Sequence, residues 1–160
     1  MSDIVLIYPP LRRGEVYGPY ENAENVLPPL GLASLAAVCR EGGKTVSVID
    51  AVAERLSLEE TARRAAALRP AAAGISAATV AIENAGLLAG LLKECLPGIA
   101  VLVGGPHVTA VPEKTLSLFG SFDIAVVGEG ERTLLELLET LRRDGDLASV
   151  RGIAFRSGGG

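Results

Sequence analysis

Ile4-Val5-Leu6-Ile7-Tyr8, halted by Pro9-Pro10, decides the fold. The run is apolar at every position. A strand with one wet face alternates in polarity, whereas a strand that is apolar throughout needs cover on both faces, as at the centre of a parallel sheet. Four more short strand-like runs follow: Val46-Ser47-Val48-Ile49-Asp50, Ala73-Gly74-Ile75-Ser76, Ala100-Val101-Leu102-Val103 and Ile124-Ala125-Val126-Val127. Helical spacing fills the gaps between them. Pro29-Leu30-Gly31-Leu32 opens a helix to about Glu41, with Leu32, Leu35, Ala36 and Cys39 on one stripe and Gly42-Gly43 at its end. Ser57 and Glu60 form a capping-box pattern for the next helix, and Pro70 marks its end. A third helix is predicted over 82–96, a short one near 113–118 and a last one over 133–143. Ile153-Ala154-Phe155-Arg156 offers a sixth, edge strand.

Strict alternation of strand and helix predicts an α/β fold, a parallel sheet with helices on both faces. Right-handed crossovers reduce the choices to doubly wound topologies, and five strands point to the flavodoxin-like order 2-1-3-4-5. The chain of 160 residues suits one such domain, over 1–156, with Ser157-Gly158-Gly159-Gly160 as a linker or boundary. Hydrophobic residues make up 49% and aromatics only 4%, so the core must be built from Val, Ile, Leu and Ala. The net charge of −4 leaves no basic surplus to neutralise phosphates, which argues against nucleic acid as a partner. Two distant cysteines, Cys39 and Cys95, read as buried, reduced thiols and not as a disulfide, in keeping with a cytoplasmic setting. No stretch approaches the roughly 20 apolar residues of a membrane span, and Met1-Ser2-Asp3 lacks the basic start of a signal peptide.

In doubly wound sheets the ligand lies beyond the carboxyl ends of the strands, at the switch point, here between strands one and three. Five segments can line that edge: 9–28, 50–51, 76–79, 104–109 and 128–131. They are also the most unusual in composition. The first is a loop of about 18 residues, against the usual connection of about 2–6, and it carries Tyr17, Tyr20, Asn22, Glu24 and Asn25. Gly104-Gly105 permits positive φ and close backbone approach, or an ordinary tight turn before Pro106. Ser76 and Thr79 offer hydroxyls for ring nitrogens or phosphates, or caps for the third helix. His107, the sole histidine, has no second His or Cys nearby to make a zinc site and reads as loop structure or a ligand contact. Gly128-Glu129-Gly130-Glu131 is no phosphate loop, because its carboxylates repel a diphosphate and its spacing is not G-x-G-x-x-G. Glu131 suits a helix start, where the dipole favours a carboxylate; alternatively Glu129 and Glu131 bind ribose hydroxyls or a neighbouring domain.

Taken in order, these motifs resemble the N-terminal cobalamin-binding domain of class B radical-SAM methyltransferases and related cobalamin-dependent radical-SAM enzymes. The matching elements are Tyr8-Pro9-Pro10, Pro28-Pro29-Leu30-Gly31-Leu32-Ala33-Ser34-Leu35-Ala36, Val48-Ile49-Asp50-Ala51, Gly74-Ile75-Ser76, Val103-Gly104-Gly105-Pro106-His107-Val108-Thr109 and Gly128-Glu129-Gly130-Glu131. They span nearly the whole chain. The resemblance implies a corrin ring over the strand ends and a nucleotide tail in a slot beside strands one and three. Ser76, Thr79, Gly104 and Gly105 would approach the tail; Asp50, Ala51, Gly128, Glu129 and Gly130 would approach ring or tail. Pro9, Pro10, Ala77, Pro106 and His107 complete the expected cofactor-binding set.

Two departures bear on mechanism. Many cobalamin domains carry an Asp-x-His-x-x-Gly motif after strand one, whose His ligates cobalt; here 9–29 contains no His. The expectation is therefore base-off cobalamin without a histidine on its lower face, a state easier to reduce to nucleophilic Co(I). Radical-SAM enzymes also hold a [4Fe–4S] cluster on a Cys-x3-Cys-x2-Cys run, which Cys39 and Cys95 cannot supply. S-adenosylmethionine, the cluster and the radical chemistry are thus expected in a C-terminal domain of a parent chain, and this chain alone carries no catalytic residue. The alternative is a doubly wound domain for another small ligand, such as a nucleotide or sugar, since fold does not give function. A self-contained hydrolase is disfavoured, because one His and no G-x-S-x-G elbow cannot assemble a nucleophile–base pair.

Overall fold

The computed structural model describes residues 2–11 and 28–156. The loop residues Tyr17, Tyr20, Asn22, Glu24 and Asn25, and the ending 157–160, lie outside the described residues. Six strands form one sheet: β1 (Ser2–Tyr8), β2 (Val46–Asp50), β3 (Pro70–Ser76), β4 (Ala100–Gly104), β5 (Ile124–Val126) and β6 (Ile153–Phe155), in the order β2-β1-β3-β4-β5-β6. The first five are parallel, in the flavodoxin-like arrangement the alternation predicts, and β6 joins the edge antiparallel to β5. The helices are α1 (Leu30–Glu41), α2 (Leu58–Ala67), α3 (Ile82–Cys95), α4 (Pro106–Ala110), α5 (Pro112–Leu118) and α6 (Glu131–Arg142).

Local chemistry accounts for most boundaries. The capping box of α2 is formed: Glu60 N–H donates to Ser57 Oγ at 3.1 Å, and Ser57 N–H donates to Glu60 Oε2 at 2.8 Å. Two boundaries differ from the sequence reading. Pro70 does not merely stop α2; it is the first residue of β3, a strand position where a missing N–H is tolerated. Residues 106–110 form the short helix α4, where only loop was expected, because Pro106 at its first turn is already set to a helical φ.

The alternation of side chains across the sheet separates two cores. Val5, Ile7, Ala73, Ile75, Val101, Val103 and Ala125 face α2, α3 and α5. Ile4, Leu6, Ala72, Leu102, Ile124 and Val126 face α1 and α6. Cys39 lies in the second core with no exposed surface, and burial pushes its thiol pKa up. Cys95 is exposed, against the expectation of burial, because it closes the last turn of α3 beyond the packed stripe of Leu88, Ala89 and Leu92.

Candidate functional site

The α1/α6 face of the sheet opens at its carboxyl end. The register places Leu6, Gly74, Leu102 and Ile124 side by side across β1, β3, β4 and β5. Two residues further along, Ser76 pairs with Gly104. Two of these positions carry no side chain, so the sheet leaves space where its neighbours would fill it. Helix α1 lays Gly31, Leu32 and Leu35 over that space, and the start of α6 adds Gly130, Glu131 and Leu134. The result is a slot of about 390 Å³, within the roughly 300–1,000 Å³ of small-molecule sites.

Its backbone frame depends on two glycines. A Cβ on Gly74 would stand 2.9 Å from Leu6 Cδ2, so a larger residue there displaces a core side chain or fills the slot. Gly105 has φ +108°, and a Cβ there would stand 2.8 Å from the Ala77 carbonyl oxygen, a place only glycine can take. That close approach is bonded: Ala77 N–H donates to the Gly104 carbonyl at 2.8 Å, and His107 N–H to the Ala77 carbonyl at 3.3 Å.

The inner walls are aliphatic, and the polar groups stand at the mouth. Glu131 Oε1 accepts from Ser34 Oγ at 2.8 Å, which ties the start of α6 to the second turn of α1. Thr109 Oγ1 accepts from Gly128 N–H at 3.0 Å and keeps its own proton to donate. The Ser76 hydroxyl has no hydrogen-bond partner among the described residues, and neither Ser76 nor Thr79 caps α3. Among the described residues, no lysine or arginine lines the slot.

Of the expected set, Ser76, Gly104, Gly105, Pro106, Gly128, Glu129 and Gly130 line the slot. The others stand beside it. Ala77 is buried and carries the bonds that join the loops after β3 and β4. Thr79 Oγ1 lies 3.2 Å from His107 Nδ1, so these two form a pair off the slot lining. Asp50 Oδ1 accepts from Ala53 N–H at 3.0 Å, and Ala51 N–H donates to the Tyr8 carbonyl at 3.0 Å; both hold the turn after β2. Pro9 is buried, and the Pro10 carbonyl accepts from Asn84 Nδ2 at 2.8 Å. The slot is also centred further along the sheet than the switch point: it spans the ends of β3, β4 and β5, and β1 contributes only Leu6 among the described residues.

Sequence reasoning did not single out Gly74, Leu32, Leu35 or Leu134 as lining residues. One signal was present: a glycine inside an apolar strand marks close approach of a ligand or another backbone. The helix residues carried no such mark, since Leu32 and Leu35 read as ordinary core. No group of three or more His, Cys, Asp or Glu side chains suited to hold a metal occurs among the described residues.

The profile of the B12 binding domain family matches residues 20–138. An uncharacterized methyltransferase of Pyrococcus horikoshii is 37% identical over 132 residues, which cover 82% of this chain and 28% of that protein. An anaerobic magnesium-protoporphyrin IX monomethyl ester cyclase of Synechocystis is 35% identical over 132 residues, covering 81% and 26%. Among solved structures, the radical S-adenosylmethionine methyltransferase TsrM from Kitasatospora setae, with cobalamin and a [4Fe-4S] cluster bound, matches 99% of this chain and 28% of its own, with a TM-score of 0.77 and 21% identity. The cobalamin-dependent S-adenosylmethionine radical enzyme OxsB, with aqua-cobalamin and S-adenosylmethionine bound, matches 99% and 21%, with a TM-score of 0.77 and 19% identity. At that identity the likeness to the two structures is one of fold. The chain spans little more than a quarter of the curated relatives' length.

Proposed function

The chain belongs to the B12-binding domain family, and from that membership we propose that it holds cobalamin base-off, with the nucleotide tail in the slot between the sheet and helices α1 and α6. The observation that carries this reading is the register of Gly74, Ser76 and Gly104, which opens an aliphatic slot at the strand ends.

The residues present fit such a group. A flat heteroaromatic base needs apolar walls, which Leu6, Leu32, Leu102, Val126 and Leu134 supply. It also needs a partner for its ring nitrogen, and the unengaged Ser76 hydroxyl can donate one hydrogen bond there. A base held in the slot would not be available as a ligand to cobalt. The one histidine of the chain is His107, whose Nδ1 is held by Thr79 away from the slot lining, which supports a cofactor without an imidazole ligand.

When bound, cobalamin supplies a cobalt centre able to carry an alkyl group. The chain's own residues would bind and orient: the slot would hold the tail, and the loops after β3, β4 and β5 would face the macrocycle. Generation of a radical belongs to a further domain of a larger chain, a radical-SAM methyltransferase or related enzyme with S-adenosylmethionine and a [4Fe–4S] cluster. The share of the relatives' length that this chain spans supports that division. Cys39 and Cys95 are its only cysteines, so the cluster's thiolates come from elsewhere; as free thiols they accord with a cytoplasmic location. Among the described residues no helix is long and apolar enough to cross a membrane.

The test is a titration of hydroxocobalamin into the purified chain. The reading expects the visible bands to move to the base-off positions and the cofactor to survive desalting. An unchanged spectrum with no retention ends it.

A further inference from the structure

We propose that β6 is a detachable strap that sets the loop after β5, so that docking of the strap and occupation of the slot reinforce each other. The parallel register of β4 with β5 covers Leu102 beside Ile124 and Val103 beside Ala125, and stops there. The register of β5 with β6 continues to Val126 beside Ile153. Val127 N–H then donates to the Gly152 carbonyl at 2.8 Å. The backbone that leads into Gly128, Glu129 and Gly130 at the slot mouth is therefore carried by β6 and not by the central strands. On the first turn of α6, Thr133 Oγ1 donates to the Arg151 carbonyl at 3.2 Å, so both ends of the loop are tied to the same turn. Gly152 permits this approach: its φ is +76°, and a Cβ there would stand 2.9 Å from Thr133 Oγ1. None of the residues 151–155 lines the slot.

A single side chain closes the other end of the strap. Arg156 donates to the Leu116, Phe119 and Gly120 carbonyls, where α5 ends. A guanidinium carries several N–H donors in one plane, and its charge is favoured at a helix C-terminus. Between these two ties β6 has three residues, all half-buried, on the edge of the sheet. A short edge element with little buried surface opens more easily than the centre of the sheet. When it lifts, Val127 loses its partner, and Gly128 keeps its N–H bond to Thr109 Oγ1, which is exposed. A ligand in contact with Gly128–Gly130 binds the docked form better, and by linkage it stabilises a strap that it does not touch. The strap follows from the geometry alone; the linkage rests on the reading that the slot holds cobalamin.

The experiment is residue-resolved amide hydrogen exchange of the purified chain across a urea series, without ligand and with hydroxocobalamin. In the free chain, the amide of Val127 and the hydrogen-bonded amides of β6 should share one opening, with one free energy and one urea slope. Their exchange should be at least about tenfold faster than that of Ile75 and Val103 in the central strands. Arg156→Ala should speed Val127 and β6 by the same factor, at least about tenfold, through the lost hydrogen bonds. Thr133→Val, at the opposite tie and nearly unchanged in shape, should speed them together by about threefold or more. It decides the same question if Arg156→Ala does not fold. Hydroxocobalamin at about ten times its Kd should slow the β6 amides at least about threefold. Val127 parting from the β6 amides, in the wild type or in a variant, overturns the strap. So does a Val127 that exchanges as slowly as Ile75 and Val103. Hydroxocobalamin that binds, by its visible spectrum, yet leaves β6 exchange unchanged overturns the linkage. Failure of hydroxocobalamin to bind is a different result: it overturns the reading of the slot's occupant and the linkage with it, while exchange in the free chain still decides the strap.

Discussion

Two adjacent rows of the same four strands behave in opposite ways. On the α2/α3/α5 face, Ile7, Ile75, Val103 and Ala125 stand in register, each at most 2% exposed, and the core is filled. One residue earlier, on the α1/α6 face, the row is Leu6, Gly74, Leu102 and Ile124, and it is broken at its second member. The two helices over the broken row are held by polar clips at both ends: Ser34 with Glu131 at the mouth, and Lys44 with Glu139 near the far end. One face supplies stability through close packing. The other keeps a slot between the sheet and the helices that these contacts join.

The largest expected effect lies on the closed face. Ile75→Ala should cost about 2–4 kcal/mol in urea unfolding, through lost burial and the cavity left behind, while cobalamin affinity per folded molecule stays within about threefold of wild type. Gly104→Val tests the open face. A Cβ there finds its nearest neighbour, Val126 Cβ, only at 3.7 Å, so the fold should keep its stability within about 1 kcal/mol, while affinity falls at least about tenfold. Equal losses of stability in the two variants would erase the distinction between the faces.

Smaller effects sharpen the picture. Ser76→Ala should weaken cobalamin binding by about 0.5–1.5 kcal/mol, the worth of one hydrogen bond, with no change in unfolding midpoint, since the hydroxyl has no partner among the described residues. The far clip predicts a pH effect. Hydrogen bonds from Lys44 and Arg142 lower the Glu139 pKa from 4.5 to about 2. A carboxyl whose pKa is depressed on folding stabilises above its unfolded value, and that stability is lost as pH falls toward the folded one. Wild-type Tm should therefore fall more steeply than that of Glu139→Gln as pH drops from 4.5 toward 2, with the curves parallel at higher pH.

The closed face was legible in the sequence, and the open one only in part. Runs such as Ile4-Val5-Leu6-Ile7 announce a strand covered on both sides, and the alternation of elements leads to the strand order. The turns at Gly104-Gly105 and Gly128–Gly130 stood out by composition, and they line the slot. Gly74 did not stand out, because its meaning is not local. It matters only once the register sets it between Leu6 and Leu102, and register is a property of the assembled sheet. Thr79 and His107 show the converse. Each looked suited to a ligand by type and place, yet they bond to each other off the slot lining. The helix α4 escaped notice because Pro106 after two glycines has the same composition in a turn as in a first helical turn.

The central claim is that the slot takes the tail and leaves cobalt without a nitrogen on its lower face. Electron paramagnetic resonance of cob(II)alamin bound to the purified chain tests this most directly, because a nitrogen bound to cobalt splits each cobalt line into three. Binding should remove the triplet splitting that free cob(II)alamin shows at neutral pH. A bound species that keeps the triplet, whether from its own base or from His107, would contradict the account.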